Sequence, residues 1–124
     1  MALSPKRCLL VVDDEDDLRS LLSQFLNAEG YDTVTASDGA EAIQILEKQT
    51  FDAALLDILM PNQNGITVLK HITKNYPSTK SIILTGHADL HRATEARQNG
   101  AMDFITKPYK IETVLAALER ALQT

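Results

Sequence analysis

The chain has 124 residues, a formal net charge of −5, 44% hydrophobic and 23% charged residues. That length suits one compact domain with a hydrophobic core and leaves little for a second, and the composition is that of a globular protein, not a disordered or fibrous one. The twelve Lys and Arg residues are scattered without a basic face or run, so direct nucleic-acid binding is not expected. No apolar run nears the roughly 18 residues of a membrane span, and the start MALSPKRC is too short in apolar residues for a signal peptide, which points to the cytoplasm.

In chain order, the first apolar run is Cys8 to Val12, a buried strand in which the lone cysteine reads as a small buried hydrophobe. Leu18, Leu21, Leu22, Phe25 and Leu26 then recur at three- and four-residue spacing and predict a helix stopping near Gly30. Tyr31 to Ala36 alternates in the manner of an edge strand. Asp38 and Glu41 form a capping-box pattern opening a second helix, with Ile43 and Leu46 inward and an end near Gln49.

Phe51 to Leu56 reads as another buried strand, followed by a helix from about Gly65 to Asn75 that buries Ile66, Leu69 and Ile72 before Pro77. Ser81 to Leu84 is a fourth strand. The segment from Asp89 to Asn99 predicts a thin helix whose inner face has only Leu90, Ala93 and Ala96, and so little apolar area leaves it free to shift. A short run from Asp103 to Thr106 and a helix after Pro108, with Ile111, Val114, Leu115, Leu118 and Leu122 on one face, complete a strict strand–helix alternation. Such alternation predicts a parallel sheet with helices on both faces.

Ligands in this architecture bind beyond the carboxyl ends of the strands, where the strand order reverses. There the chain places Asp13 and Asp14, Asp57, Thr85 and Lys107. With a strand order of 2-1-3-4-5, Asp13, Asp14 and Asp57 share one crevice. Three clustered carboxylates call for a cation, and their hard oxygens favour Mg²⁺ over zinc or copper. Because Mg²⁺ keeps sites for water and phosphate oxygens, a phosphate-bearing ligand is implied, with Lys107 as a point charge and Thr85 as a hydroxyl donor.

Five short motifs occur in order: Val12-Asp13-Asp14, Leu56-Asp57-Ile58-Leu59-Met60-Pro61, Gly65, Leu84-Thr85-Gly86 and Lys107-Pro108. On these motifs the sequence resembles the response-regulator receiver domain of two-component signal transduction over essentially its whole length. The resemblance implies an α/β fold, a (βα)5 flavodoxin-like three-layer sandwich with sheet order 2-1-3-4-5, and one receiver domain over residues 1–124, left open as a piece of a longer protein.

It also implies site roles. Asp57 is the phospho-acceptor, Asp14 and Asp57 coordinate Mg²⁺ directly, Asp13 acts through a metal-bound water, and the main-chain carbonyl of Leu59 is a further ligand. Lys107 pairs with Asp57, Thr85 bonds a phosphoryl oxygen after activation, and Phe104 stands where an aromatic switch residue couples to Thr85. Leu59 and His87 occupy the positions that tune the lifetime of the phosphoryl group. The implied donor is a sensor histidine kinase or phosphotransfer protein, the implied output surface is the fourth helix, fifth strand and fifth helix, and a homodimer through that surface is one readout. A receiver catalyses only its own phosphorylation and dephosphorylation, so no enzyme acting on a separate substrate is implied.

Two other functions compete with this reading. A small Mg²⁺-dependent phosphohydrolase would need a second acid or base and a cap or pocket, and a phosphorylation-independent interaction module would not need the acidic trio, Thr85 and Lys107 together. His87 and His91, four apart, lack a third ligand for zinc. They read as exposed residues, with His71 likewise on a helix surface. Asp16 and Asp17 read as helix-start or solvated charge, and Pro108 is a candidate to follow a cis bond.

Overall fold

The computed structural model describes residues 6–58, 65–86 and 90–123. Five strands alternate with five helices: β1 (Cys8–Val12), α1 (Asp16–Ala28), β2 (Asp32–Ala36), α2 (Gly39–Lys48), β3 (Ala53–Leu56), α3 (Gly65–Asn75), β4 (Lys80–Thr85), α4 (Leu90–Gln98), β5 (Asp103–Thr106) and α5 (Ile111–Leu122). All strand pairs are parallel, in the order β2-β1-β3-β4-β5.

Side chains alternate across the sheet and so fill two cores. Leu10, Val12, Ala54, Leu56 and Ile83 face α2, α3 and α4, packing with Ala42, Leu46, Ile66, Leu69, Ile72 and Ala96. Leu9, Val11, Ala53, Leu55, Ile82 and Leu84 face α1 and α5, packing with Leu22, Leu26, Val114, Ala117 and Leu118. The central strands are therefore apolar on both sides, which is why β1, β3 and β4 read as unbroken apolar runs.

The helix-start signal at Asp38 is a real cap: its carboxylate accepts the Glu41 amide at 2.9 Å, while the Glu41 carboxylate accepts the amide of Ser37 at 3.0 Å. Several finer expectations need correction. Leu21 and Phe25, expected on the inner stripe of α1, are 49% and 45% exposed, and Leu22 and Leu26 are the residues of α1 buried in the core. Ala42 and Leu46 are the buried residues of α2, with Ile45 packed beside them, and Ile43 is half-buried. β5 is a second edge strand, so its residues are only partly covered. Cys8, at the start of β1, is half-buried as a free thiol and not fully enclosed.

The fourth helix is as thinly held as its composition implies. Ala96 is buried, but Leu90 is 83% exposed, so it forms no part of an inner face. At its far end the helix is tied to α3: the Thr73 hydroxyl donates to the Asn99 carbonyl at 2.7 Å. Gly100 follows with φ +104°, and a Cβ there would overlap the Thr73 side chain, so both the backbone and the space demand glycine.

At the start of α3, Gly65 donates its amide to the Ile58 carbonyl at 2.9 Å and lies directly against the Asp57 backbone. A Cβ at Gly65 would overlap the Asp57 carbonyl oxygen and come within 2.8 Å of its carbon. Gly65→Ala is therefore expected to displace Asp57 and destabilise the fold by about 2 kcal/mol, measured by urea denaturation. Gly86→Ala is the contrast, since among the described residues the nearest non-neighbouring atom to its new Cβ is the Lys107 Cβ at 4.0 Å; a change of at most about 0.5 kcal/mol is expected.

Candidate functional site

Register decides which side chains meet. Val12 pairs with Leu56, Leu56 with Ile83, and Thr85 with Thr106. Asp13 and Asp57 thus begin one residue past paired strand ends, tied in place by amide bonds from Asp57 to the Val12 carbonyl at 3.0 Å and from Asp13 to Ala36 at 3.2 Å. Lys107 follows β5 in the same way, its amide bonded to the Thr85 carbonyl at 2.7 Å, and the Lys107–Pro108 peptide is cis.

Asp13, Asp14 and Asp57 each offer a carboxylate oxygen within 4.8 Å of the others. Asp13 and Asp57 are buried at 3% and 6% exposure, and Asp14 is exposed toward solvent. The donor set is three hard oxygens with no imidazole or thiolate, which fits a hard divalent cation with open coordination sites and not zinc or copper.

The Lys107 ammonium lies 2.9 Å from Asp13 Oδ2, 3.0 Å from Glu15 Oε1 and 3.1 Å from Asp57 Oδ2. Burial on its own would lower the pKa of this lysine, but the hydrogen bonds from its ammonium to Asp13, Glu15 and Asp57 outweigh that and hold it above the ordinary lysine value. Lys107 is therefore a fixed positive charge at any physiological pH.

Thr85 is fully buried at the end of β4. It continues the side of the sheet occupied by Ile83, the side against which the half-buried Phe104 packs. Ile83 pairs with Phe104, so Thr85 sits one diagonal step from that ring, on the α4 side. The expected switch pair thus shares one face, while Asp13, Asp57 and Lys107 meet beyond the strand ends. Leu59 and His87 lie outside the described residues.

Three residues join the site that motif reasoning did not single out. Glu15 is the N-cap residue of α1, but its side chain is engaged by Lys107 and not by the helix. Arg19, one turn into α1, donates to the Asp13 main-chain carbonyl at 2.7 Å and to Asp16 at 2.6 Å, holding the acidic turn from behind. Tyr109 lines a cavity of about 380 Å³ with Glu15, Leu18, Gly86, Lys107 and Pro108. Its buried hydroxyl has no hydrogen-bond partner among the described residues, and burial, reinforced by Asp13, pushes its pKa up to about 12. Ordinary residue types at ordinary spacings carried no signal for any of them, except that an Arg at the fourth position of a helix can reach back to its start.

The two described histidines, His71 and His91, lie away from the carboxylate trio's motifs, on α3 and α4. His91 is exposed, whereas His71 departs from a plain surface residue: its Nε2 is buried and its ring meets Tyr76 edge-on at 5.7 Å between centroids. Asp16 and Asp17 lie exposed in the first turn of α1. No helix among the described residues is long and apolar enough to cross a membrane.

Comparison with known proteins agrees with this geometry. The family described as "Response regulator receiver domain" matches residues 9–119. The DNA-binding transcriptional regulator NtrC of Escherichia coli (strain K12) is 39% identical over 112 residues, which are 90% of this chain and 24% of NtrC. The chain thus spans about a quarter of the length of that relative. Among solved structures, a CheY-like receiver domain protein from Methanospirillum hungatei JF-1 superposes with a TM-score of 0.93 at 29% identity, covering 96% of this chain and 95% of that one. A response regulator protein from Burkholderia pseudomallei, described with a phosphorylated aspartic acid, a calcium ion and citrate, superposes with a TM-score of 0.88 at 26% identity, covering 95% of this chain and 69% of that one. With five parallel strands in the order 2-1-3-4-5, a carboxylate trio at their carboxyl ends and a family match over nearly its whole length, the chain belongs to the response regulator receiver domain family.

Proposed function

We propose that this receiver domain accepts a phosphoryl group on Asp57 from the phosphohistidine of a sensor histidine kinase or phosphotransfer protein, and that the change is read out on the surface of α4, β5 and α5. The observation that carries this reading is the Lys107 ammonium, 3.1 Å from a buried Asp57 carboxylate inside a trio of carboxylates suited to Mg²⁺. The phosphorylated aspartate of the Burkholderia pseudomallei relative supports it by analogy.

Asp14 and Asp57 would hold Mg²⁺ directly, Asp13 through water, and Leu59 through its main-chain carbonyl. Bound Mg²⁺ neutralises charge on the phosphoryl oxygens. A carboxylate oxygen of Asp57 attacks phosphorus in line, an O–P bond forms as the P–N bond to imidazole breaks, and the imidazole keeps the bonding pair. Lys107 supports the charge that builds on the equatorial oxygens. Attack of water on the same phosphorus releases inorganic phosphate and returns the carboxylate, so residues near the phosphoryl group, Leu59 and His87 among them, set its lifetime.

Thr85 would report the event. Its hydroxyl binds a phosphoryl oxygen, and the space it leaves is taken by the Phe104 ring on the same face of the sheet. Phe104 has no hydroxyl, so the coupling is steric. The thinly held α4 beside it is the element that moves, exposing a surface for a second copy or a downstream partner. Residues 1–124 then act as one receiver domain in the cytoplasm, the kind of segment that makes up about a quarter of NtrC.

Intact-mass spectra with acetyl phosphate are expected to show one phosphoryl adduct that requires Mg²⁺ and is absent from Asp57→Ala; a wild-type protein that never labels would move the weight to an interaction module. Turnover of a generic phosphate ester in place of a stable adduct would favour the phosphohydrolase. Leu59→Asn is expected to hasten loss of the adduct by orienting a water. Lys107→Met leaves Asp13 and Asp57 buried without their cation, so in chelator its unfolding free energy should fall by about 3 kcal/mol, partly regained in Mg²⁺.

A further inference from the structure

Lys107 has three N–H donors and three carboxylate partners, at 2.9, 3.0 and 3.1 Å. Two of these, Asp13 and Asp57, belong to the chemistry proposed above. The third, Glu15, has no part in it, yet it approaches the ammonium as closely as they do.

The three partners differ in how firmly they are held. Asp13 is buried, and its other carboxylate oxygen accepts the Glu15 amide at 2.9 Å. Asp57 is buried and must itself carry the phosphoryl group. The Glu15 side chain is 61% exposed and enters from the N-cap of α1. A phosphoryl group arriving at Asp57 brings new acceptor oxygens to an ammonium whose donors are all in use. The partner able to withdraw into water is Glu15, and its negative charge also repels the incoming anion.

We infer that Glu15 is a positioning residue that restrains Lys107 in the unphosphorylated domain, and that its ion pair with Lys107 is exchanged for one to the phosphoryl group when Asp57 is charged. The inference rests on the function proposed above. No covalent bond or proton changes at Glu15: an Nζ–H to Oε1 hydrogen bond is replaced by an Nζ–H to phosphoryl-oxygen bond, and it reforms when the phosphoryl group leaves. The restraint slows charging and ties the start of α1 to the phosphorylation state of Asp57.

The test is the rate of Mg²⁺-dependent labelling by acetyl phosphate in wild type, Glu15→Gln, Glu15→Asp and Asp17→Asn, followed by intact mass. An exposed ion pair is weak, so Glu15→Gln is expected to label about two- to five-fold faster. Glu15→Asp keeps the charge but withdraws it by one methylene and is also expected to be faster. Asp17→Asn removes an equal charge two residues away, from an exposed side chain in the first turn of α1, and is expected to label at the wild-type rate. The ¹⁵N resonance of the Lys107 ammonium should move in both Glu15 variants and stay in place in Asp17→Asn, a signature that a merely structural role would not produce. A wild-type rate in Glu15→Gln, an acceleration confined to Gln and absent from Asp, or an equal acceleration in Asp17→Asn would overturn the inference. Wild type that fails to label would instead overturn the proposed function itself.

Discussion

Folding gathers the carboxylates of Asp13, Asp14, Glu15 and Asp57 at the carboxyl end of the sheet, and the Lys107 ammonium answers three of them within 3.1 Å. Like charges brought this close oppose the fold that collects them, and the more so where burial removes water. The lysine makes the arrangement tolerable, but one positive charge leaves the cluster net negative. That residual charge disposes the site toward a divalent cation. It also means that any anion reaching Asp57 must be admitted by a rearrangement of cations and not by simple addition.

The position of that lysine follows from topology. The β4–β5 pairing puts Thr85 opposite Thr106, and the chain leaving β5 brings the Lys107 ammonium to the carboxylates that follow β1 and β3. The same pairing sets Thr85 and Phe104 on the face toward α4. Charge is thus gathered at the strand ends, and the proposed steric coupling of Thr85 to Phe104 would run along one side of β4 and β5. On the other face α1 and α5 cover the sheet with Leu22, Leu26, Val114 and Leu118, a core that gives no reason for movement.

Much of this was legible in the residues. Asp13, Asp57, Thr85 and Lys107 are each ordinary alone, and stand out because together they follow the strands at the end of an α/β sheet where ligands bind. The thinness of α4 was visible in its composition. Other features were not, for physical reasons. A three- and four-residue repeat marks a stripe but not its width, so Leu21 and Phe25 belong to the pattern of α1 and still lie at the surface. Burial of a short strand depends on what covers it, and the edge position of β5 leaves Asp103 and Phe104 half-covered. Glu15, Arg19 and Tyr109 enter the site through distances between remote segments, a kind of information that spacing along the chain does not hold.

The hydrogen bond from Thr73 to Asn99, next to the glycine that only the bare backbone of position 100 can accommodate, fixes one end of α4 to α3. At its other end Leu90 is almost entirely in solvent. With the tie to α3 as the held end, nine residues of α-helix make an arm of about 13 Å, and a tilt of roughly 20° about that tie would carry the opposite end through about 4–5 Å. In the readout proposed above, a small adjustment beneath the helix would thereby be magnified at the surface, with the amplitude set by arm length.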